Sequence, residues 1–241
     1  MDGIRTDSLR HRRPQLRFDL YIAPYAGERR ETDDSSRLLA GPAFAPLGAE
    51  YENPAPREIR PDAKRILLSC GGSDPFEITS KIMVALAEVR DRRLTVRVVL
   101  GPGFEPMYRA GLIAMARGSR HGIEWADSPD SLASQMRWSD LTLATSGLTK
   151  YELAATGTPA ILISPDEMHA RANESFLEIG SAIDLGAIQS MTPAGIAATL
   201  CALLDDRQRR SDMSRAGMLA IDGRGAARIA TALKELACAE I

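Results

Sequence analysis

From residue 64 onward the chain alternates short apolar, partly β-branched runs with helical repeats, and no other feature constrains its fold as strongly. The runs are RILLSC (65–70), LTVRVVL (94–100), GIEW (122–125), DLTLAT (140–145), PAILIS (159–164) and SAIDLG (181–186). Runs so short and so uniformly apolar read as strands buried on both faces, the mark of a parallel sheet. Between them Ile78, Ile82, Leu86 and Val89 recur at helical spacing, with Asp74 as the expected N-cap and Pro75 at the first helical position. Leu132 with Met136 and Phe176 with Ile179 mark further helices, and 193–237 reads as two or three helices broken around IDGRG. This order implies right-handed crossovers. The expected fold is α/β, a doubly wound, Rossmann-like parallel sheet with helices on both faces.

Residues 1–63 read differently. Residues 1–17 form a basic arm with five arginines (Arg5, Arg10, Arg12, Arg13, Arg17) against Asp2 and Asp7. Residues 18–63 hold one strand, FDLYIAP (18–24), then a stretch rich in proline, glycine and charge with brief apolar punctuation at Leu38, Leu39, Phe44, Leu47 and Tyr51. The domain proper is expected over 64–241.

Composition narrows the function. Of the 241 residues 44% are hydrophobic and 26% charged, enough apolar surface for a core. A net charge of −2 offers no electrostatic case for nucleic acid. No apolar run approaches ~18 residues and no signal-peptide h-region is present, so a cytoplasmic location is expected, with membrane contact at most peripheral through the arginine arm. Cys70, Cys201 and Cys238 are odd in number and lack CxxC spacing; Cys70 ends an apolar strand and Cys201 lies within a helical apolar pattern, which favours buried thiols there over a disulfide or metal site. No HxxxH, HExxH or DxD occurs, so neither a metal nor another cofactor is expected.

Two loops carry the chemistry. In LLSCGGSDP (67–75), Gly71 and Gly72 permit a tight turn and close backbone approach, Ser73 offers a hydroxyl, and the following helix start offers unpaired N–H groups to a phosphate. A glycine pair after a strand is also an ordinary turn. In SGLTKYELAATGTPAIL (146–162), Ser146 and Gly147 leave a strand, Thr149 stands at a helix start, and Gly157 with Pro159 ends the helix after two turns. Glu152 lies one turn in. A carboxylate there compensates the helix dipole, or accepts hydrogen bonds from vicinal ribose hydroxyls. The first loop is not GxGxxG and no acid ends VRVVL, which argues against a dinucleotide dehydrogenase.

These two stretches, followed by HARANESFLEIGSAIDLG and IDGRGAARIATAL, resemble in order the C-terminal half of the UDP-sugar hydrolases of the pseudaminic-acid pathway and the related spore-coat polysaccharide proteins. Those are relatives of the GT-B glycosyltransferase that adds N-acetylglucosamine to the peptidoglycan lipid precursor. FDLYIAPYAGE and LLAGPAFAPLGAEY resemble the segment that crosses between the two domains of that family, so the resemblance spans about residues 16 to 235. It implies that Gly71, Gly72, Ser73 and Asp74 approach the pyrophosphate or sugar, and that Ser146, Gly147, Leu148 and Thr149 cradle phosphates. Glu152 would hold the ribose, Asn173 would face the sugar, and backbone around 122–128 would read uracil. His169 stands beside this site as a sugar or phosphate contact.

The chain also departs from the family. There the N-terminal domain carries the histidine that acts as catalytic base, and half of the sugar pocket. Here only the arginine arm precedes residue 16, and His11 and His121 lie away from the expected site, so no catalytic residue is assigned. The expected function is binding of a UDP-activated (amino)sugar and its cleavage or transfer in nucleotide-sugar or surface-polysaccharide biosynthesis. A partner chain or a homodimer would complete the cleft. The alternatives are an inactive nucleotide-sugar-binding or regulatory subunit, and a chain that starts late.

Overall fold

The computed structural model describes residues 19–27 and 37–239. The arginine arm and His11 lie outside these residues. A small parallel pair, β1 (Leu20–Ala23) and β2 (Arg37–Ala40), stands apart from a six-stranded sheet. The large sheet holds β3 (Arg65–Ser69), β4 (Thr95–Leu100), β5 (Gly122–Asp127), β6 (Leu141–Thr145), β7 (Ala160–Ser164) and β8 (Ala182–Ala187). Its order is β5-β4-β3-β6-β7-β8, with every pair parallel. All six strands fall where the apolar runs predict them. The chain leaves β3 in one direction through β4 and β5, then returns to place β6 on the other side of β3, with Ile66 opposite Leu141 and Ser69 opposite Ala144. That reversal creates a crevice above the carboxyl ends of β3 and β6.

Burial on both faces follows from strand alternation. Ile66, Leu68, Val96, Val98, Leu143 and Ile161 join one core with α1 (Ile78–Ala87) and α7 (Pro193–Asp205). Leu67, Val99, Ala144 and Leu162 join the other with α3 (Leu132–Trp138) and α4 (Thr149–Ala155). Each such fully buried aliphatic side chain contributes about 1.5–3 kcal/mol. The helix α8 (Arg207–Ala220) lies against α4, where a side chain on Gly217 would come within 2.8 Å of the Ala154 carbonyl oxygen.

Residues 41–53 pack on the domain rather than away from it. Ala45, Leu47 and Tyr51 are buried in the second core. The IDGRG break sits at this contact: a side chain on Gly223, at φ 77°, would collide with the Tyr51 carbonyl, and one on Gly225 with that of Ala45. Helix α9 (Gly225–Ala239) follows directly. The two glycines let the backbones touch.

Three local features differ from the sequence reading. Helix α1 begins at Ile78, not Pro75, because Asp74 and Glu77 adopt left-handed φ values of 45° and 53° that helical backbone excludes. Strand β2, built on Leu38 and Leu39, was not expected, since four residues are too few for a period. The helix α2 (Pro106–Arg117) buries only Leu112 and so shows little apolar periodicity.

Candidate functional site

The two glycine loops meet at the crevice. Gly71, at φ 82°, Gly72 and Ser73 are exposed at the exit of β3, and a Cβ on Gly71 would have Thr145 Oγ1 of β6 as its neighbour at 3.9 Å. The Gly72 carbonyl accepts from the Gly103 N–H at 2.9 Å, which ties this loop to the one after β4. Beyond β6, Ser146 and Gly147 lead to Leu148, 42% exposed, and to Thr149, the first residue of α4. Of the four non-glycine residues with positive φ among the described residues, Asp74, Glu77 and Ser128 lie in loops at this edge of the sheet, and backbone strain of this kind collects at functional sites.

Asp74 has a different occupation from the one expected. Its carboxylate is 3% exposed and accepts from the N–H groups of Ile78 and Thr79 and from the Tyr108 hydroxyl, each at 2.8 Å. It thus caps α1 from four residues upstream and fills the helix start that was expected to meet a phosphate. Burial and this acceptor push the Tyr108 phenol up. Gly71, Gly72 and Ser73 remain open to a ligand.

Glu152 is half-buried on α4, and burial pushes its carboxyl up, partly offset by a hydrogen bond from the Tyr51 hydroxyl. Tyr51, 2% exposed, is itself raised by burial and by that carboxylate. The crossing segment therefore orients the residue expected to hold the ribose. Only the folded chain reveals this link, which spans about a hundred residues.

A cleft of about 620 Å³ runs from the β6–α4 loop to α5 (Glu167–Arg171), which follows β7. Ser146, Gly147, Leu148, His169 and Asn173 line it, and Tyr25, Ala26 and Gly27 close one side. The Ala26 N–H donates to the Tyr151 hydroxyl at 2.9 Å, fixing that wall. Asn173, at the start of α6 (Glu174–Leu177), is fully buried, so its amide is structural as well as adjacent to the cleft. It donates to Ser164 Oγ at 3.1 Å and Asp184 Oδ2 at 2.8 Å, and accepts from Lys150 Nζ at 2.9 Å. His169 is half exposed, its Nδ1 2.7 Å from Asp166 Oδ1. The N-cap role of Asp166, accepting from the His169 N–H at 2.9 Å, and the imidazole hold its carboxyl below the usual range.

Sequence reasoning missed Lys150, Arg171, Tyr25 and Tyr51. A signal existed for Lys150, which shares a helical face with Leu153 and Ala154, so a lysine stands in an apolar stripe. Burial pushes its ammonium down, against the attraction of Asp184.

His121 is structural: it is buried, its Nδ1 accepting from the Leu94 N–H at 3.2 Å and its Nε2 2.8 Å from the Leu86 carbonyl. Cys70 is buried as expected and its thiol raised by burial, whereas Cys201 is only half-buried; Cys238 is exposed. Among the described residues no cluster of His, Cys, Asp or Glu could hold a metal, and no helix is long and apolar enough to cross a membrane.

No family model matches the chain. It is 23% identical over 222 residues to the spore coat polysaccharide biosynthesis protein SpsG of Bacillus subtilis, covering 92% of this chain and 62% of that protein. Over 141 residues it is 28% identical to the UDP-N-acetylglucosamine–N-acetylmuramyl-(pentapeptide) pyrophosphoryl-undecaprenol N-acetylglucosamine transferase of a Shewanella species, covering 56% of this chain and 37% of the transferase. The crystal structure of Acinetobacter baumannii MurG superposes with a TM-score of 0.67 at 15% identity, over 90% of this chain and 60% of that one. The resemblance to spore-coat polysaccharide proteins holds in sequence, and that to GT-B transferases in sequence and in fold. The chain spans less than two thirds of each of these relatives.

Proposed function

We propose that this chain binds a UDP-activated sugar across the β3/β6 crevice, as the donor half of a GT-B-type enzyme of nucleotide-sugar or surface-polysaccharide biosynthesis. One observation carries the reading. Two exposed glycine loops, 71–73 and 146–149, meet at the point where the strand order reverses, with the Glu152 carboxylate one turn beyond. Loop amides there suit a diphosphate, and would stabilise UDP as it leaves the anomeric carbon, whether water or an acceptor attacks. The relationship to a transferase named for UDP-N-acetylglucosamine supports the nucleotide.

A partner chain or second copy covers this edge. Phe76, Met107, Leu148 and Met168 project from the loops or helix starts after β3, β4, β6 and β7, and are 44%, 86%, 42% and 65% exposed. Four exposed apolar side chains after strands of one sheet edge suit a surface that another polypeptide buries. Calorimetric titration with UDP and ADP tests the donor site: micromolar binding that prefers uridine supports it, and no binding to either removes it.

A second reading, a subunit that binds nucleotide sugar without turnover, draws on the histidines. His121 is locked in the fold, and His169 is engaged with Asp166. Release of UDP from a UDP-sugar by the chain alone would exclude it.

A further inference from the structure

The cleft that the 146–149 loop helps to line carries two cations. Lys150 and Arg171 line it together with His169, and among the described residues no carboxylate does. Lys150 is 7% exposed, and among the described residues its ammonium is bonded only to uncharged oxygens, Asn173 Oδ1 at 2.9 Å and the Ala172 carbonyl at 3.4 Å. The rings of Tyr151 and Phe176 stand 5.5 and 5.3 Å away. A buried charge is normally met by an opposite one. Here Asp184 is held one side chain further off, behind Asn173. Arg171 is exposed and has no hydrogen bond or ion pair among the described residues. His169 spends only Nδ1 on Asp166.

Position along the sheet indicates which part of a ligand meets these cations. On the donor-site reading above, on which this inference rests, the base lies over β5 and the diphosphate between β3 and β6. The next place in the strand order is β7, and α5 follows β7. The cations therefore face the group attached to the distal phosphate.

We propose that this cleft selects nucleotide sugars whose sugar carries a carboxylate, as a uronic acid does, with Lys150 and Arg171 as the specificity residues. Arg171 offers a planar fork suited to two carboxylate oxygens, and Lys150 a point charge in a dry wall. Neither takes part in bond cleavage. The diphosphate is the other anion that could satisfy the same cations, and binding separates the two.

The test is calorimetric titration of the full chain and of its Arg171→Ala and Lys150→Gln variants with UDP, UDP-glucose and UDP-glucuronic acid. The expected result is UDP-glucuronic acid binding about tenfold or more tighter than UDP-glucose, with the gap closing in the variants while UDP affinity stays the same. Arg171 is exposed, so its variant reports even where Lys150→Gln does not fold. Equal affinity for the two sugars overturns the proposal. So does equal weakening of all three ligands in the variants, which would assign the cations to the diphosphate. Failure of UDP itself to bind overturns the donor-site reading as well, whereas UDP binding without sugar preference overturns this inference alone.

Discussion

Lys150 and Asn173 are joined side chain to side chain, Nζ to Oδ1 at 2.9 Å, in the wall of the cleft. Asn173 also donates to Ser164 and Asp184, so one neutral amide separates a buried cation from an anion. Replacing it with alanine leaves Lys150 and Asp184 without that mediator. Asn173→Ala is expected to cost about 2–4 kcal/mol, measured by urea unfolding.

Glu152 and Tyr51 make a graded pair. On the proposed donor site, Glu152→Ala would remove an acceptor for ribose hydroxyls and is expected to weaken UDP binding roughly 10–100-fold, the range of a hydrogen bond to a charged group. Tyr51→Phe removes only the hydroxyl that orients Glu152 and should weaken UDP by a few-fold. Calorimetry on both variants checks the order. A larger loss in Tyr51→Phe would mean that the phenol itself meets the ligand.

Asp74 separates a structural carboxylate from a ligand contact. Asp74→Ala leaves the Ile78 and Thr79 N–H groups and the Tyr108 hydroxyl without their acceptor. It should lower stability by about 2 kcal/mol while the UDP affinity of the folded variant stays within about twofold of the parent. Thermal unfolding and a UDP titration, run together, read both numbers.

Asp222 sets an acid dependence. The Arg228 guanidinium, with the Arg224 N–H at 3.0 Å, lowers its carboxyl from 3.8 to about 2. A folded-state value below the unfolded one stabilises the fold above pH ~4, and that contribution disappears as pH falls through about 2. Solvent screening at this half-exposed pair keeps it near 1 kcal/mol or less. Asp222→Asn should therefore be less stable than the parent at pH 7 and equal to it near pH 2, read by denaturant unfolding across that range.

The sheet was legible because its inner strands are local, largely apolar runs, while the edge strands β5 and β8 are only partly buried. RILLS, TVRVVL and AILIS need no knowledge of their neighbours to be recognised, and helical spacing supplies the layers that cover them. The two glycine loops were legible for the same reason, since a strand that ends in Gly-Gly-Ser or Ser-Gly announces its own turn. Side-chain destinations were not. Asp74 was readable as a cap, but its buried hydrogen bonding also depends on Tyr108, thirty-four residues away. The orientation of Glu152 depends on Tyr51, and the burial of Lys150 on Asn173 and Phe176, which arrive from another crossover. Local period and turn chemistry determine the six-stranded sheet of this protein from sequence alone. Which polar group lines the cleft and which one holds the loop was decided only when distant segments met, because hydrogen-bond partners and desolvation are properties of the assembled interior.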